Sequence, residues 1–488
     1  MSGTIAVLSK KGENVTETAV AMLKALKLKK QEAYGIASST IIKMKRSLEA
    51  LQDQDVNSPT MIGYAISMIL EKDKTQPLKL VDATLVFDGR IYRVGAETAD
   101  AATAAKRLQH NHEQGAKMLV ERTEGDFVFV IAESERIIAG RDVNGVRPLY
   151  YGENTNFAAL ASECKALWRI GMEKTGSFPP GHIALIDKHG FRFALVRKLA
   201  FAKPKPITMQ TAAKKLQMLL EQSTKERVYG SREVAVAFSG GLDSSIIALL
   251  SEKSGINVHL VHVSLKDQLE AEYARQAAEE LELPIHCYAY TEADVQRILP
   301  NVLELIEEPD PVKVSIGIPV YWAAEKTAKM NLRVMLAGQG ADEIFGGYQR
   351  YVDSYLQYGT EKVEEIIFKD IVRMYETNFE RDSKICNFHN VELRLPFASY
   401  RIAKFAIDLP VELKIELSRN TLRKLLLRHA AKRLGLSRSI VNRPKKAIQY
   451  ATGANKALKE IARKKGLSVR KYVQETFQTT FKETFLHE

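Results

Sequence analysis

Cysteine is scarce in this chain. Cys164, Cys287 and Cys386 are the only three in 488 residues, and no two stand in a C-x-x-C spacing. Neither a disulfide framework nor a cysteine zinc site is indicated, and three small, buried, mostly apolar side chains are expected. Long apolar runs are missing as well. Stretches such as Met61–Leu70 are about half of what a bilayer span needs, and the N-terminus lacks a basic region followed by an apolar one. A cytoplasmic protein with no membrane partner is expected. Aromatics are sparse where the positive charge is densest. The formal net charge is +12, concentrated in Arg423-Lys424, Arg428, Lys432-Arg433, Arg443, Lys445-Lys446 and Arg463-Lys464-Lys465. Leu and Ala interleave these cations at helical spacing with few rings for base stacking, so they read as the solvated face of core helices, and a nucleic-acid partner is not expected. Anionic small-molecule substrates account for the charge equally well.

Internal repeats and low-complexity tracts are also absent, but the chain is too long for one comfortable core. The segment Phe201-Ala202-Lys203-Pro204-Lys205-Pro206-Ile207-Thr208 breaks both helix and strand. It divides two patterns. Before it come short alternating runs: Thr84–Phe87 ending at Asp88-Gly89, Phe127–Ile131, Arg136–Gly140 and Ile183–Asp187. These predict an antiparallel, hairpin-rich α+β domain over residues 1–200. After a linker at 201–209, helical periods (Ala213–Lys225, Glu270–Leu281) alternate with buried strands (Val234–Phe238, Val258–Val263, Val334–Ala337). They predict a parallel sheet with crossover helices over 210–465, followed by an extension at 466–488.

The chemistry is written in two loops of the second half. Val234–Phe238 runs into Ser239-Gly240-Gly241-Leu242-Asp243-Ser244-Ser245 and then into an apolar helix. Glycines let backbone N–H groups approach an anion, the three serines add donors, and the helix contributes its positive end. Asp243 would repel phosphate unless a cation lay between them, so it is expected to hold Mg²⁺ on a pyrophosphate. No lysine follows the glycines, which excludes the G-x-x-x-x-G-K-[ST] loop. The second loop, Gly338 to Tyr348, follows Leu336-Ala337 and carries Asp342, a second hard-oxygen metal ligand.

The first loop resembles the pyrophosphate loop of the N-type ATP pyrophosphatases. Nearly end to end, the chain resembles the glutamine-hydrolysing asparagine synthetases. The first half matches in Gly140-Arg141-Asp142, Pro148–Gly152, Ala161-Ser162-Glu163, Lys165-Ala166-Leu167 and Pro180-Gly181. The second matches in the pyrophosphate loop, Glu307-Glu308-Pro309, the Gly338–Tyr348 loop, Glu392–Phe397 and Arg443-Pro444-Lys445. The resemblance implies an Ntn-hydrolase-like αββα amidotransferase domain followed by an adenine-nucleotide α-hydrolase-like domain. It implies ATP and Mg²⁺, activation of aspartate as a β-aspartyl adenylate, and displacement of AMP by ammonia. Lys445 matches the family lysine that offsets charge on the α-phosphate. Phe238, Val263, Ala337 and Gly338 match its nucleotide contacts.

Five departures alter that expectation, one of them Ala398-Ser399 in place of the usual Leu-Asp after Pro396-Phe397. Ser2 stands where the family has its N-terminal nucleophilic cysteine, and a hydroxyl is far less ionised than a thiol. The family's Asn-Gly-Glu, which supplies an oxyanion-hole amide and a carboxylate for the substrate ammonium, reads Asp88-Gly89-Arg90. The arginine for the glutamine carboxylate has no counterpart in Met61–Leu80, which offers Lys72, Lys74 and Lys79, while Asp100 matches one substrate-binding acid. Gln339 replaces a glutamate that deprotonates incoming ammonium, and an amide cannot take that proton; Glu308 and Glu343 are the candidate substitutes. A ligase that amidates a carboxylate, aspartate first, with ammonia rather than glutamine is therefore expected. A β-lactam-synthetase-like enzyme using another acid or amine, and an RNA-modifying ATP pyrophosphatase, are the alternatives. A homodimer is the candidate assembly.

Overall fold

The computed structural model describes residues 3–26, 28–29, 32–52, 56–71, 73–92, 99–416 and 422–486. Ser2 and Lys72 lie outside the described residues. The chain forms two compact units, one of Met1–Lys198 with Asn387–Asn390, the other of Leu199–Cys386 with Val391–Glu488.

The first unit has four layers, because its strands bury both faces. Along Gly3–Ser9, Ile5 and Val7 pack with Ala19, Val20 and Leu23 of helix Thr16–Ala25, while Ala6 and Leu8 point at a second sheet. That second sheet repeats the pattern. Val128 and Val130 of Gly125–Ala132 meet the first sheet, and Phe127, Phe129 and Ile131 meet helices Asp100–Leu108 and His112–Arg122. Period-two alternation with apolar residues at every position gives helix, sheet, sheet, helix. Among the described residues the sheets have seven and six antiparallel strands. One expectation fails here. Asp88-Gly89 does not end a strand; Ala83–Ile91 runs through it, with Asp88 opposite Val128 and Gly89 opposite Phe127. The neighbouring strand offers an unbroken ladder, and the missing Cβ at Gly89 (φ 134°) serves close approach to the Asp126 carbonyl rather than a reversal.

The second unit is a parallel sheet. Its strand order among the described residues is Ile285–Tyr290, Asn257–Leu265, Glu233–Ala237, Val334–Leu336, Glu392–Arg394, every pair parallel. Helices cover both faces, and the inner strands Glu233–Ala237 and Val334–Leu336 are accordingly mostly apolar and buried. Helix Pro311–Lys329, capped by Asp310, lays Trp322 flat on Tyr290 with ring centroids 4.0 Å apart. The last helix, Val469–Leu486, packs against Glu292–Ile306. No helix among the described residues is long and apolar enough to cross a membrane.

The basic C-terminal region is helical as expected. Leu426, Leu427, Ala430 and Ala431 of Leu425–Leu434, and Leu458, Ile461 and Ala462 of Ala454–Lys464, face the core. Two of its cations are not solvated. Lys424 and Arg428 are buried, because each has acceptors inside: two carboxylates for Lys424, and the Arg423, Val441 and Arg443 carbonyls for Arg428.

Candidate active site

The chain reverses its direction of winding between strands Glu233–Ala237 and Val334–Leu336. At such a point the loops leaving two adjacent strands splay apart and open a crevice at their carboxyl ends. Both glycine loops lie there and line one cavity.

In the first loop, Ser239 and Ser244 hydroxyls lie 3.3 Å apart, and Gly241 N–H donates to Ser239 Oγ. Helix Leu242–Lys253 starts immediately after, with no side-chain cap on its first N–H groups. Gly240 has φ 67°, and a Cβ there would meet the Ala274 backbone and the Arg443 guanidinium. Ser239, Gly241, Asp243 and Ser244 line the cavity; Ser245 is fully buried and does not. Phe238, Val263, Ala337 and Gly338 line it as well. The Phe238 carbonyl is taken by His262 Nδ1 at 2.9 Å. Gly338 is obligatory for packing, since a Cβ would stand 2.9 Å from that of Asp243.

The two acidic residues meet around a lysine that the sequence did not single out. Lys424 Nζ lies 2.5 Å from Asp243 Oδ2 and 2.7 Å from Asp342 Oδ1, and Lys445 pairs with Asp342 Oδ2. Lys424 reaches them because residue 347 is glycine: a Cβ there would collide with the Asp342 carboxylate and the Lys424 chain. Its own backbone is left-handed, φ 62°, at the start of helix Leu425–Leu434. Burial alone would raise the Asp342 carboxyl, but Lys424 and Lys445 outweigh it and hold it at about 2. Burial likewise opposes charge on Lys424, and the two carboxylates overcome it and raise its pKa. Arg428, bonded to the Val441 and Arg443 carbonyls, pins the segment that carries Arg443 and Lys445 to the crevice. Arg443 in turn donates to the Ser239 carbonyl at 3.1 Å.

Gln339, Arg381 and Asp382 also line the cavity. Gln339 Nε2 donates to Asp382 Oδ2 at 2.5 Å, and Arg381 Nε to Asp382 Oδ1 at 2.7 Å. Arg381 Nη2 is buried without a hydrogen-bond partner. Of the two substitute bases expected, Glu343 is buried and accepts from Tyr348 and Asn378; burial, then the Asp342 charge, push its carboxyl up. Glu308 is half exposed, bonded through both oxygens to Lys313, and does not line the cavity.

In the first unit Asp88, Arg90 and Asp100 are all buried. Arg90 donates to both oxygens of Asp73, at 2.5 and 3.0 Å, and lies 3.6 Å from Asp100. Asp100, matched to a substrate-binding acid, thus already faces a cation of the chain itself.

Sequence comparison bears on both units. The asparagine synthase family profile matches residues 215–360 and 354–488, and a glutamine amidotransferase domain profile matches 64–169. A protein of Methanocaldococcus jannaschii named as a glutamine-hydrolyzing asparagine synthetase is 28% identical, over 95% of this chain and 96% of its own. The Bos taurus asparagine synthetase is 25% identical over 83% of this chain and 79% of its own. That of Zea mays is 26% identical over 69% and 60%. The asparagine synthase profile spans more than half of the sequence, and the chain belongs to the asparagine synthase family.

Proposed function

We propose that this carbon–nitrogen ligase adenylates the side-chain carboxylate of aspartate with ATP, releases pyrophosphate, and amidates the adenylate with ammonia rather than with nitrogen from glutamine. The observation that carries the reading is the convergence of Asp243 and Asp342 on one cationic centre, Lys424 Nζ, in the crevice between two glycine loops. Phosphate donors, a metal-competent acid pair and fixed lysines are what a departing pyrophosphate requires.

The residues suit Mg²⁺. Asp243 Oδ1 is buried with no hydrogen-bond partner, so one hard oxygen is left over after Lys424 is satisfied. Asp243 and Asp342, brought together at Lys424, would be the protein's share of the ligands. Bound there, Mg²⁺ would neutralise charge on the pyrophosphate. Lys445, on the outer side of Asp342, is the fixed cation for the α-phosphate as charge builds on it. Arg381 Nη2 is the free donor for the acceptor's second carboxylate, which favours a dicarboxylic amino acid such as aspartate.

Ammonia is favoured over glutamine by Arg90. A glutamine ammonium would have to displace a guanidinium already paired with Asp73 and Asp100. Incubation with ATP, Mg²⁺ and aspartate, plus either ammonium or glutamine, tests the reading: asparagine, AMP and pyrophosphate should form together with ammonium, and glutamine should yield little glutamate. Pyrophosphate release with some other acid but not with aspartate would overturn it.

A further inference from the structure

The amide at 339 removes the acid that the reaction needs to deprotonate its nitrogen nucleophile, and the structure supplies another one beside it. Helix Thr360–Met374 passes through a π-turn at Tyr375–Phe379 into helix Glu380–Phe388. Such a turn inserts one residue into the helical repeat and re-aims the side chains that follow. Here Asn378 within the turn, and Arg381 and Asp382 after it, line the crevice. Asn378 is spent on Glu343 Oε1 at 2.8 Å. Asp382, about one turn later, is 1% exposed overall yet lines the cavity, and its Oδ2 accepts from the Gln339 amide. The pairing explains the amide: a glutamate at 339 would set two carboxylates against each other, whereas glutamine donates.

We propose that Asp382 is the general base of the amidation, with Gln339 positioning it. The inference rests on the adenylation reading above. Ammonium gives one proton to the Asp382 carboxylate and becomes ammonia. Its nitrogen attacks the carbonyl carbon of the acyl adenylate and forms the C–N bond. The bond from that carbon to the phosphate oxygen then breaks, the electron pair leaves with AMP, and the second proton passes from nitrogen to solvent. Asp382 pairs with Arg381 on its own helix, which keeps one oxygen oriented; Asp342 and Lys445 line the same cavity, and Glu343 meets Asn378 one turn before Asp382. Lys384, on the same helix, is taken by Glu307 at 2.8 Å.

The test separates the two half-reactions. In Asp382→Asn, acid-dependent ATP/pyrophosphate exchange should stay within about 3-fold of wild type, while amide formation from ammonium at pH 7 should fall by roughly 10²-fold or more. Hydroxylamine, which is neutral at that pH, should restore much of the lost rate. The swap Gln339→Glu/Asp382→Asn returns an acid to the other side of the pair and should recover ammonium use by at least about 10-fold over the single variant. Undiminished ammonium use in Asp382→Asn would overturn the proposal. So would loss of exchange together with amidation, which would make Asp382 a substrate-holding residue, or a swap no better than the single variant. Absence of aspartate-dependent exchange in the wild type would instead strike the reading of the acceptor, and the same comparison would then be made with whichever acid is adenylated.

Discussion

Replacing Lys424 by Met should be costly before any substrate is added, because the lysine neutralises two carboxylates at once. Its side chain is 2% exposed, while those of Asp243 and Asp342 keep 20% and 18%. Breaking a fully buried ion pair by removing one partner costs about 3–5 kcal/mol. Water reaches part of both acids and screens them, which brings the cost just below that range, to about 2–3 kcal/mol. For a unit of this size that is a fall in Tm of roughly 3–5 °C in metal-free buffer. Met keeps the aliphatic stem, so lost packing contributes little. The pH dependence carries the sign. Asp342 is held at about 2 in the fold, below its unfolded value, so its stabilisation is present above that unfolded value and is lost as the pH falls through the folded one. Without Lys424 the window narrows, and the variant should unfold at a higher pH on acidification. Mg²⁺ with pyrophosphate should stabilise the variant more than the wild type, since a divalent cation replaces the missing charge. Differential scanning fluorimetry across pH, with and without Mg²⁺-pyrophosphate, reads all three effects. A variant with wild-type Tm in metal-free buffer would refute the reasoning.

Lys445→Ala should leave the fold intact and lower ATP/pyrophosphate exchange by roughly 10²-fold, measured at saturating acid, because a fixed charge contact to the α-phosphate is lost. Arg90→Ala should destabilise the first unit by about 2–4 kcal/mol in chemical denaturation, leaving Asp73 and Asp100 facing each other, without creating glutaminase activity. Lys414 is buried, and burial, only partly offset by Glu364 and Asp408, pushes its ammonium down to about 8. Its folded pKa is below the unfolded one, so stability is greatest above about 10.4 and declines as pH falls through 8. Lys414→Met should flatten that decline and stabilise the protein near pH 7 by about 3 kcal/mol, read by urea denaturation at pH 7 and pH 10.

The sheet of the second unit was legible because strand, glycine loop and apolar helix follow one another in a single stretch, Val234 to Leu250, and the loop chemistry fixes where the strand ends. The first unit was legible in its alternation, but Asp88-Gly89 carries the same turn signal as a hairpin and becomes the middle of a strand when a neighbour completes its hydrogen bonds. Asp243 and Asp342 could be read as a pair from their loops. Lys424 could not, since it sits among other cations in a leucine-rich helix, and its left-handed backbone and the room left by Gly347 exist only in three dimensions. Asp382 was hidden for a related reason. The π-turn that brings it to Gln339 has no sequence signature, and only a contact across 43 positions joins the two.

The central claim, that a carboxylate is activated by adenylation, is tested most directly by oxygen transfer. Aspartate carrying ¹⁸O in its side-chain carboxylate is turned over with ATP, Mg²⁺ and ammonium, and the nucleotide and phosphate products are examined by mass spectrometry. Attack of that carboxylate on the α-phosphorus leaves one labelled oxygen on AMP for each asparagine formed, and unlabelled pyrophosphate. Label in inorganic phosphate with ADP as the nucleotide product, or asparagine formed without label in AMP, would contradict it.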